Sequence, residues 1–295
     1  MTDEQRTNRI FTDSRKKQLL SIAVVLLVFV FCWEMYKVIW QALGWIRPVR
    51  PDDTTMPHTW DMVIELFRPV RRGGQLLIID LTARSFFTLR EALAGFVLGG
   101  LFGFSLSVVF VRSRLLERAF MPYVVASQTI PIIAIAPMVV VWGGRAELPQ
   151  WMAVAVISAY LTFFPVAINT LRGLRSPDPN AMELMRSYAA KPNQVLWKVQ
   201  VPAALPYIFT ALKVSATASI IGALIGELPA GFGEGLGRAL LTFSSQFGAR
   251  SEKLYATVIV TAIVGIIFVG SVILIEKRVI KQRRLDEHEL LGGAV

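Results

Sequence analysis

The sequence predicts an all-α polytopic membrane protein with about six transmembrane helices, and three features of its composition carry that prediction. Hydrophobic residues make up 54% of the 295 positions, and the mean hydropathy is +0.53. Charged residues make up only 18%, below the usual share in a soluble domain. The apolar residues also come in long runs instead of short periodic stretches, as transmembrane helices require.

The residue types that build metal and catalytic sites are scarce. Cys32 is the one cysteine and lies inside an apolar run, so there is neither a disulfide framework nor a cysteine metal cluster. The two histidines, His58 and His288, stand far apart in the sequence, which argues against a histidine metal site or general base. The net charge of +10 is typical of basic residues at helix ends that set topology and meet membrane lipid, so no nucleic-acid partner is expected.

Six apolar segments are each long enough to cross the hydrocarbon core, which takes about 20 residues. They are predicted at Leu19–Trp40, Leu89–Val111, Phe120–Trp142, Trp151–Leu171, Leu205–Ile225 and Leu254–Ile275. The domain organisation that follows is a cytoplasmic segment at 1–18, a first helix with an outer amphipathic loop at 19–84, a core at 85–276 and a basic cytoplasmic tail at 277–295.

The distribution of basic residues predicts that both termini face the cytoplasm. With that orientation, more than half of the 31 lysines and arginines lie in the predicted inner segments. The outer loop after the first helix is also basic, but acidic residues balance it and long loops weigh less in this rule. Within that loop, apolar and acidic residues are interleaved across Trp60–Phe67, which predicts a short amphipathic helix on the outer interface.

Two predicted spans have features that a lipid-exposed helix seldom has. Gly95, Gly99 and Gly103 are spaced four apart in the second span, so one face can approach another helix backbone closely. The third span contains three prolines, which bend a helix and free backbone carbonyls that must be satisfied inside the protein or by water. The polar residues 127–129 between these prolines are predicted either to line a pathway or to hydrogen-bond a neighbouring helix.

The loop at 172–206 is patterned like helices, although it is polar enough to leave the membrane. Asp178 or Asn180 can cap a helix at Ala181–Ala190. A proline then interrupts the pattern, because it pushes the preceding residue out of helical geometry, and a second short helix is predicted at Gln194–Val201. Such an element can dock into a groove of a soluble partner. A mere connector is the alternative, but connectors seldom need so many patterned residues.

The same loop resembles the signature loop of binding-protein-dependent ABC importer permeases. The stretches that carry the resemblance are Glu183-Leu184-Met185-Arg186-Ser187-Tyr188-Ala189 and Trp197-Lys198-Val199-Gln200-Val201-Pro202-Ala203-Ala204-Leu205-Pro206. Glu183 and Pro202 stand at the family spacing. Ala189 occupies the position of the family's glycine, Leu184 and Met185 replace two alanines, and Val201 replaces a leucine. An alanine in the glycine position stays small but is disfavoured at positive φ.

This resemblance implies a type I ABC importer-like permease core with cytoplasmic coupling helices, in the inner membrane of a bacterium. Two permease subunits, expected to be a homodimer, would enclose the path, two ABC ATPase subunits would receive the loops, and an extracytoplasmic binding protein would deliver the solute. The permease would not be an enzyme and would hold no cofactor, because the ATPase would bind ATP and Mg. The sequence itself contains no G-x-x-x-x-G-K-[ST] phosphate loop. The residues implied for ATPase coupling are Glu183, Arg186, Ser187, Tyr188, Ala189, Pro192 and Trp197.

Other segments resemble the nitrate, sulfonate, taurine and bicarbonate branch of that family, over roughly residues 85–275. They are Pro131–Gly143, Phe163-Phe164-Pro165 with Asn169-Thr170, Gly173-Leu174-Arg175-Ser176, and Gly226-Glu227 with Gly235-Leu236-Gly237. Within the branch, the stretch from Arg186 to Ala190 together with Gly226-Glu227-Leu228-Pro229 is most similar to permeases for pyrimidine-type vitamin precursors or riboflavin.

Polar residues within the spans are the candidates for the translocation path. They are Ser127, Gln128, Thr129, Ser158, Tyr160 and Glu227. Glu227 resembles an acidic residue that the family carries near the path, and the alternative is that it caps a helix or pairs with a base such as Arg238. Lys213, also within a span, is expected to snorkel or to pair. Neutral donors in an apolar lining suit a small neutral or weakly charged organic solute.

The main alternative function is an ion-coupled secondary transporter. Such a protein would be expected to show paired acids within the membrane or an inverted repeat, and neither is visible in the sequence. A membrane-embedded enzyme would need a catalytic cluster at one interface, and a structural subunit would have no transport role. The sequence therefore favours the membrane-spanning permease subunit of an ATP-driven importer.

Overall fold

A computed structural model describes residues 3–47, 49–229, 234–248 and 250–292 of the chain, without the side chains of 3–19 and 281–292, and its architecture is helical. The helices are α1 (Asp3–Ala42), α2 (Thr59–Glu65), α3 (Leu77–Arg112), α4 (Arg114–Ser127), α5 (Ile132–Arg145), α6 (Gln150–Leu174), α7 (Pro179–Ser187), α8 (Pro192–Val195), α9 (Val201–Glu227), α10 (Leu236–Ser245) and α11 (Ser251–Gly292). Within this part of the chain, five helices are long and apolar enough to span a membrane, or six if α4 and α5 form one broken span. The predicted all-α polytopic fold is confirmed.

Contacts divide the chain into two compact units. The first comprises the residues up to Ile78 together with Phe243–Ala256, and the second comprises Ile79–Thr242 and the residues from Thr257 onward. In the first unit, the loop after α1 is fastened to the end of that helix. Glu34 accepts hydrogen bonds from the Thr59 amide at 2.8 Å and the Thr59 hydroxyl at 2.9 Å. The amphipathic helix predicted in this loop is present as α2.

An ion pair between a buried lysine and an exposed aspartate joins the same loop to α1. The side chain of Lys37 is fully buried, and its ammonium group lies 2.5 Å from the Asp53 carboxylate. This hydrogen bond holds the pKa of Asp53 below its ordinary value. The buried Lys37 charge within the apolar part of α1 is therefore not left unpaired.

The helices of the second unit pack around a stripe of small residues on α3. A Cβ atom added to Gly95 would lie 2.3 Å from the Ser158 side chain, and one added to Gly99 would lie 2.4 Å from the Ala159 carbonyl oxygen of α6. The predicted close approach through the Gly95, Gly99 and Gly103 face is therefore present. Dispersion contacts between closely spaced backbones supply the attraction that the hydrophobic effect cannot supply between helices in lipid.

Buried hydroxyl groups join α6 to its neighbours on both sides. Ser107 of α3 donates to the Ala167 carbonyl at 2.7 Å, and Ser215 of α9 donates to the Thr162 carbonyl at 3.1 Å. α6 and α9 are packed along much of their length, with Ala216, Ile220 and Ala223 of α9 in the core. Lys213 of α9 pairs with Glu276 of α11 at 2.9 Å, as expected for a cation within a span.

The predicted third span at Phe120–Trp142 is two helices instead of one. α4 ends at Ser127, α5 begins at Ile132, and their axes differ in direction by 98°. Pro131 caps α5 in an extended conformation with ψ of 109°, so the break lies where that proline forbids a continuous hydrogen-bond ladder. Pro122 and Pro137 are accommodated inside α4 and α5. The sequence indicated a bend, and the structure shows a full break.

Helix ends extend further than apolarity alone indicated. α3 begins at Leu77, not at Leu89, because its first turns are stabilised by polar pairs along the helix, such as Arg84 donating to Asp80 at 2.7 Å. α11 likewise begins at Ser251 and continues well past Ile275. Hydropathy marks the part of a helix that suits the hydrocarbon core, whereas charged residues at the ends can continue the same helix in the headgroup region or in water.

Candidate coupling surface and translocation path

The predicted coupling loop contains one free-standing helix, α7, with well-defined ends. Asp178 is the cap, since its carboxylate accepts the Asn180 amide at 2.7 Å, and Pro179 takes the first helical position. The helix lies slightly earlier than the predicted Ala181–Ala190. The proline favours the start of the helix because its fixed φ is already helical and its missing N–H would have no helical partner there.

α7 ends in a Schellman motif that explains the family's glycine. The Ala190 amide donates to the Met185 carbonyl at 3.0 Å, and the Ala189 amide donates to the Arg186 carbonyl at 2.9 Å. This pair of bonds requires a left-handed residue between them, and Ala189 has a φ of +48°. Glycine adopts that conformation without strain, so Ala189 carries a steric cost that a glycine at this position would not.

The side chains predicted for ATPase coupling are exposed on α7. Glu183 and Arg186 are exposed, and Tyr188 exposes 74% of its surface. The Ser187 hydroxyl donates only to the Leu184 carbonyl of its own helix. Among the described residues, none of these four side chains makes a hydrogen bond or ion pair with another element. A mixed set of acid, base and aromatic groups is therefore available to a partner.

The second predicted helix of the loop is wrong as a separate element. α8 begins at Pro192 and runs through a π-helical turn, Leu196–Gln200, directly into α9, so that a single helix extends from Pro192 to Glu227. The Val201 amide donates to the Leu196 carbonyl, five residues earlier. Proline lacks an N–H, and this wider turn shifts the hydrogen-bond ladder just before Pro202, so the proline does not end the helix.

The beginning of this helix is anchored by one buried side chain. Leu196 is buried with Leu174 at the end of α6 and with Ala204 of α9. Trp197 stands beside it with 58% of its surface exposed, and its ring centroid lies 6.3 Å from that of Phe104. Any displacement of α7 therefore acts close to a helix that is held at its base and spans the bilayer.

The polar residues predicted for the path lie at the break between α4 and α5. The hydroxyls of Ser127 and Thr129 each donate to a carbonyl three residues earlier at 2.7 Å, and the Gln128 side chain is exposed. The Tyr160 hydroxyl of α6 donates to the Ser127 carbonyl. This bond satisfies a backbone group that the break would otherwise leave open. Of the predicted set, these four residues are brought together.

Ser158 is placed elsewhere. It is fully buried between α3, α6 and α9, and its hydroxyl donates to the Ser219 carbonyl at 2.8 Å. A Cβ atom on Gly222 would lie 2.6 Å from the Ser158 Cα atom. In this arrangement Ser158 joins helices and contacts no open space, because three backbones approach it closely.

Glu227 lies at the other end of the long helix and is 1% exposed. Its carboxylate accepts the Thr88 hydroxyl at 2.6 Å and the backbone amides of Gly237 and Arg238, at the first turn of α10. The Thr88 oxygen in turn accepts the Leu236 amide at 2.9 Å. Glu227 therefore caps α10 through backbone groups, and the predicted partner Arg238 contributes its amide.

The glycines of Gly235-Leu236-Gly237 fit closely around this carboxylate. A Cβ atom on Gly235 would lie 2.1 Å from Glu227 Oε1, and one on Gly237 would lie 2.4 Å from the Leu224 carbonyl oxygen. Because the second of these contacts is with backbone, it cannot be relieved by a side-chain rotation. The small residues of this motif are required by the cap.

Sequence reasoning missed Glu91, which is 7% exposed and hydrogen-bonded to Glu227. Two acids are thus paired within the second unit, which corrects the expectation that no such pair exists. A charged residue within the predicted second span was the available signal. The pairing itself could not be found from the sequence, because the two residues lie far apart in the chain, on α3 and α9.

The chain is similar in sequence to permease proteins of several transport systems. Over 194 residues the chain is 37% identical to the formylaminopyrimidine transport permease protein ThiX of Halalkalibacterium halodurans, covering 64% of this chain and 75% of that protein. It is 28% identical over 249 residues to SsuC of Bacillus subtilis, a permease protein named for aliphatic sulfonates transport, covering 84% and 85%. A crystal structure of an amino acid ABC transporter with histidines shares the fold, with a TM-score of 0.55, 17% identity and coverage of 68% and 94%.

Residues 95–281 match the family described as the binding-protein-dependent transport system inner membrane component. The predicted family, branch and multi-pass inner-membrane location are confirmed. Such a component works with ATPase and binding-protein partners, carries no cofactor of its own and leaves ATP hydrolysis to the ATPase. This chain belongs to that family of ABC importer permeases.

Proposed function

We propose that two copies of this chain form the translocation path and that α7 is the helix through which each copy receives the motion of one of two ATPase subunits. Both termini then face the cytoplasm, on the side of α7. One observation carries the proposal: α7 exposes unpaired acidic, basic and aromatic side chains, and three residues separate its C-cap from a helix that continues unbroken to Glu227. A docking surface is thereby connected to a membrane-spanning element.

Charge reversal on α7 tests this role. Glu183→Lys and Arg186→Glu are each expected to lower solute uptake at least 10-fold, because contacts at a docking surface depend on charge complementarity. The purified complex should lose ATPase subunits or hydrolyse ATP without transport. Charge-matched controls, Glu147→Lys and Arg50→Glu, change exposed residues outside α7 and should leave uptake within about two-fold. Unchanged uptake in both α7 variants would refute the coupling role.

The pairing of two identical permeases is tested by mass. Native mass spectrometry of the intact complex should show two copies of this chain with two ATPase subunits. A complex with one copy of this chain and one copy of a different permease would refute the homodimer. Neither result affects the role of α7, which each permease uses separately.

The solute that fits best is a small neutral heteroaromatic compound of the aminopyrimidine class. The ThiX relative supports this class, and so does the neutral character of the groups at the α4–α5 break, Ser127, Gln128, Thr129 and Tyr160. Lys213, a cation within a span, is already neutralised by Glu276. Proteoliposomes holding the complex and its binding protein should accumulate a formylaminopyrimidine in preference to an aliphatic sulfonate. The reverse preference would overturn the assignment.

The paired acids Glu91 and Glu227 do not favour the secondary-transporter alternative. Proton or ion coupling needs a group that is free to load and release its ion, whereas the Glu227 carboxylate is occupied by the cap of α10. Uptake by the reconstituted complex should require ATP and should persist when the proton gradient is collapsed with an ionophore.

A further inference from the structure

A cavity of about 410 Å³ at the beginning of α4 is lined by basic side chains. Its walls are Arg114, Glu117, Arg118 and Met121 of α4 and Arg175 at the end of α6. The four α4 residues are spaced at helical intervals, so their side chains share one face of the helix. Arg175 begins the loop that leads to α7. The cavity therefore lies at the same end of the bundle as the coupling surface.

The charges of this cavity do not balance. Glu117 is occupied by Arg175, whose two terminal nitrogens both contact its carboxylate, one at 2.8 Å. This hydrogen bond raises the pKa of Arg175, so the guanidinium stays charged. Arg114 and Arg118 are close enough to interact electrostatically with the Glu117 carboxylate. Neither has a hydrogen bond or ion pair within the described residues. Two exposed positive charges remain.

The position of these two charges on the helix makes the imbalance costly. Arg114 is the first residue of α4, where the helix dipole presents a positive partial charge, and Arg118 lies one turn further along the same face. Arginines are favoured at the opposite end of a helix. An anion bound in the cavity would offset both the dipole and the two guanidinium groups, and a phosphate group has the oxygen geometry that arginine forks bind best.

The remainder of α4 indicates the kind of anion. Leu115, Phe120 and Val125 are exposed on or beside the face of α4 that carries the cavity residues, and Leu115 exposes 78% of its surface. An apolar helix surface next to a basic cavity at the cytoplasmic end of a membrane protein suits an amphiphile with a phosphate headgroup. A free phosphate ion or a nucleotide would use the arginines but not the apolar surface.

We propose that this cavity, called here the α4 pocket, binds the phosphate headgroup of an anionic phospholipid from the inner leaflet. Its placement in that leaflet rests on the proposed function, since the orientation puts α7 in the cytoplasm. The lipid would stabilise the start of α4 and the Arg175 end of α6, which leads into the coupling loop. The retained positive charge attracts the headgroup, and the acyl chains cover the exposed apolar side chains.

The test uses the purified permease–ATPase complex in nanodiscs of defined composition. Phosphatidylglycerol discs should raise the unfolding temperature above that in phosphatidylcholine discs, and native mass spectrometry should show retained phosphatidylglycerol. Arg114→Gln/Arg118→Gln should weaken lipid retention about 25-fold, since each basic residue near a membrane surface contributes about five-fold. Arg114→Lys/Arg118→Lys should keep most of it. The control Arg71→Gln/Arg72→Gln, which removes two exposed arginines from the outer loop, should retain the lipid fully.

Several results would overturn the proposal. Equal retention in the Gln double variant and the wild type would show that the lipid binds elsewhere. A full stabilising effect of inorganic phosphate in phosphatidylcholine discs would show that the pocket takes a free anion and not a lipid. If the Gln double variant does not fold, the Lys double variant decides the matter, because loss of retention with charge preserved contradicts the electrostatic basis.

The failure of this inference can be told apart from failure of the proposed function. Glu183→Lys should abolish uptake while keeping lipid retention, because Glu183 does not line the α4 pocket. A complex that retains the lipid but loses no uptake in the α7 variants would support the pocket and refute the coupling role. The opposite combination would refute the pocket alone.

Discussion

The two ends of the α8–α9 helix are built on opposite principles. At one end, Glu227 is buried and every acceptor of its carboxylate is used by Thr88, Glu91 or the first turn of α10. At the other end, α7 leaves its polar side chains exposed, and the helix that follows is anchored by Leu196, which is buried with Leu174 and Ala204. The first end is complete within one chain. At the second end, the side chains of Glu183, Arg186 and Tyr188 have no hydrogen-bond or ion-pair partner among the described residues, which leaves them available to another protein.

The largest effect is expected at the Glu227 end of the helix, when the buried carboxylate is removed. Glu227→Ala would leave the Thr88 hydroxyl and the Gly237 and Arg238 amides without an acceptor, at about 1–3 kcal/mol for each buried group. We expect a loss of about 3 kcal/mol or more in the free energy of unfolding, seen as a large fall in melting temperature in detergent. Glu227→Gln should cost less. Stability equal to that of the exposed-site control Glu183→Ala would show that the cap is dispensable.

The next largest effect is expected at Leu196, which is buried near the beginning of the α8–α9 helix. Leu196→Ala removes three side-chain carbons, Cγ and both Cδ methyl groups, from the contact with Leu174 and Ala204, and a cavity of this kind costs about 3 kcal/mol. Uptake should also fall, because the base of the helix that follows α7 is loosened. Denaturant unfolding measures the first effect and vesicle uptake the second. A Leu196→Met variant, similar in volume, should restore most of both.

A smaller change of opposite sign is expected at Ala189. Replacing it with glycine relieves the left-handed conformation and should stabilise the end of α7 by about 1 kcal/mol. Ala189→Val should destabilise it, since a branched side chain tolerates positive φ poorly. Amide hydrogen exchange across α7 reports the local effect. Faster exchange in the glycine variant would contradict the Schellman geometry.

The smallest effect on stability is expected at Tyr188. Tyr188→Ala should change the free energy of unfolding by less than about 0.5 kcal/mol, because the side chain is exposed and makes no hydrogen bond with the residues that the structure describes. The same variant should weaken binding of the ATPase subunit about 10-fold, as exposed aromatic anchors commonly do at interfaces. Surface plasmon resonance with immobilised ATPase separates the two effects. A variant that is destabilised but binds the ATPase normally would show that Tyr188 has a structural role and not a docking role.

Sequence reasoning could locate the spans because hydropathy is a property of single segments. The positions of the six apolar runs, the glycine face of α3 and the Asp178 cap all depend on residues that are close in the chain. Sequence reasoning could not decide whether Pro131 bends or breaks a helix, because the outcome depends on which groups satisfy the freed backbone carbonyls and amides. Here the Tyr160 hydroxyl, from another helix, satisfies one of them.

The errors at 194–206 and at Glu91 have related causes. Hydropathy predicts a span that begins at Leu205, but a π turn shifts the hydrogen-bond ladder before Pro202 and the helix is continuous from Pro192. Glu91 was one charge within an apolar run until folding placed it against Glu227. The coupling residues are a prediction that rests on resemblance. Ala189 gives that resemblance a physical basis, because its position is the left-handed end of a helix.

The π turn at Leu196–Gln200 also sets the rotation of α7 and α8 about the helix axis relative to α9. A π turn is in effect one residue inserted into a helix, and one residue corresponds to about 100° of rotation about the helix axis. Deleting a single residue here would leave the seam between α6 and α9 unchanged while turning α8 and α7 by about a quarter of a circle. The direction in which α7, the proposed docking helix, faces therefore depends on one extra residue in the helix that follows it.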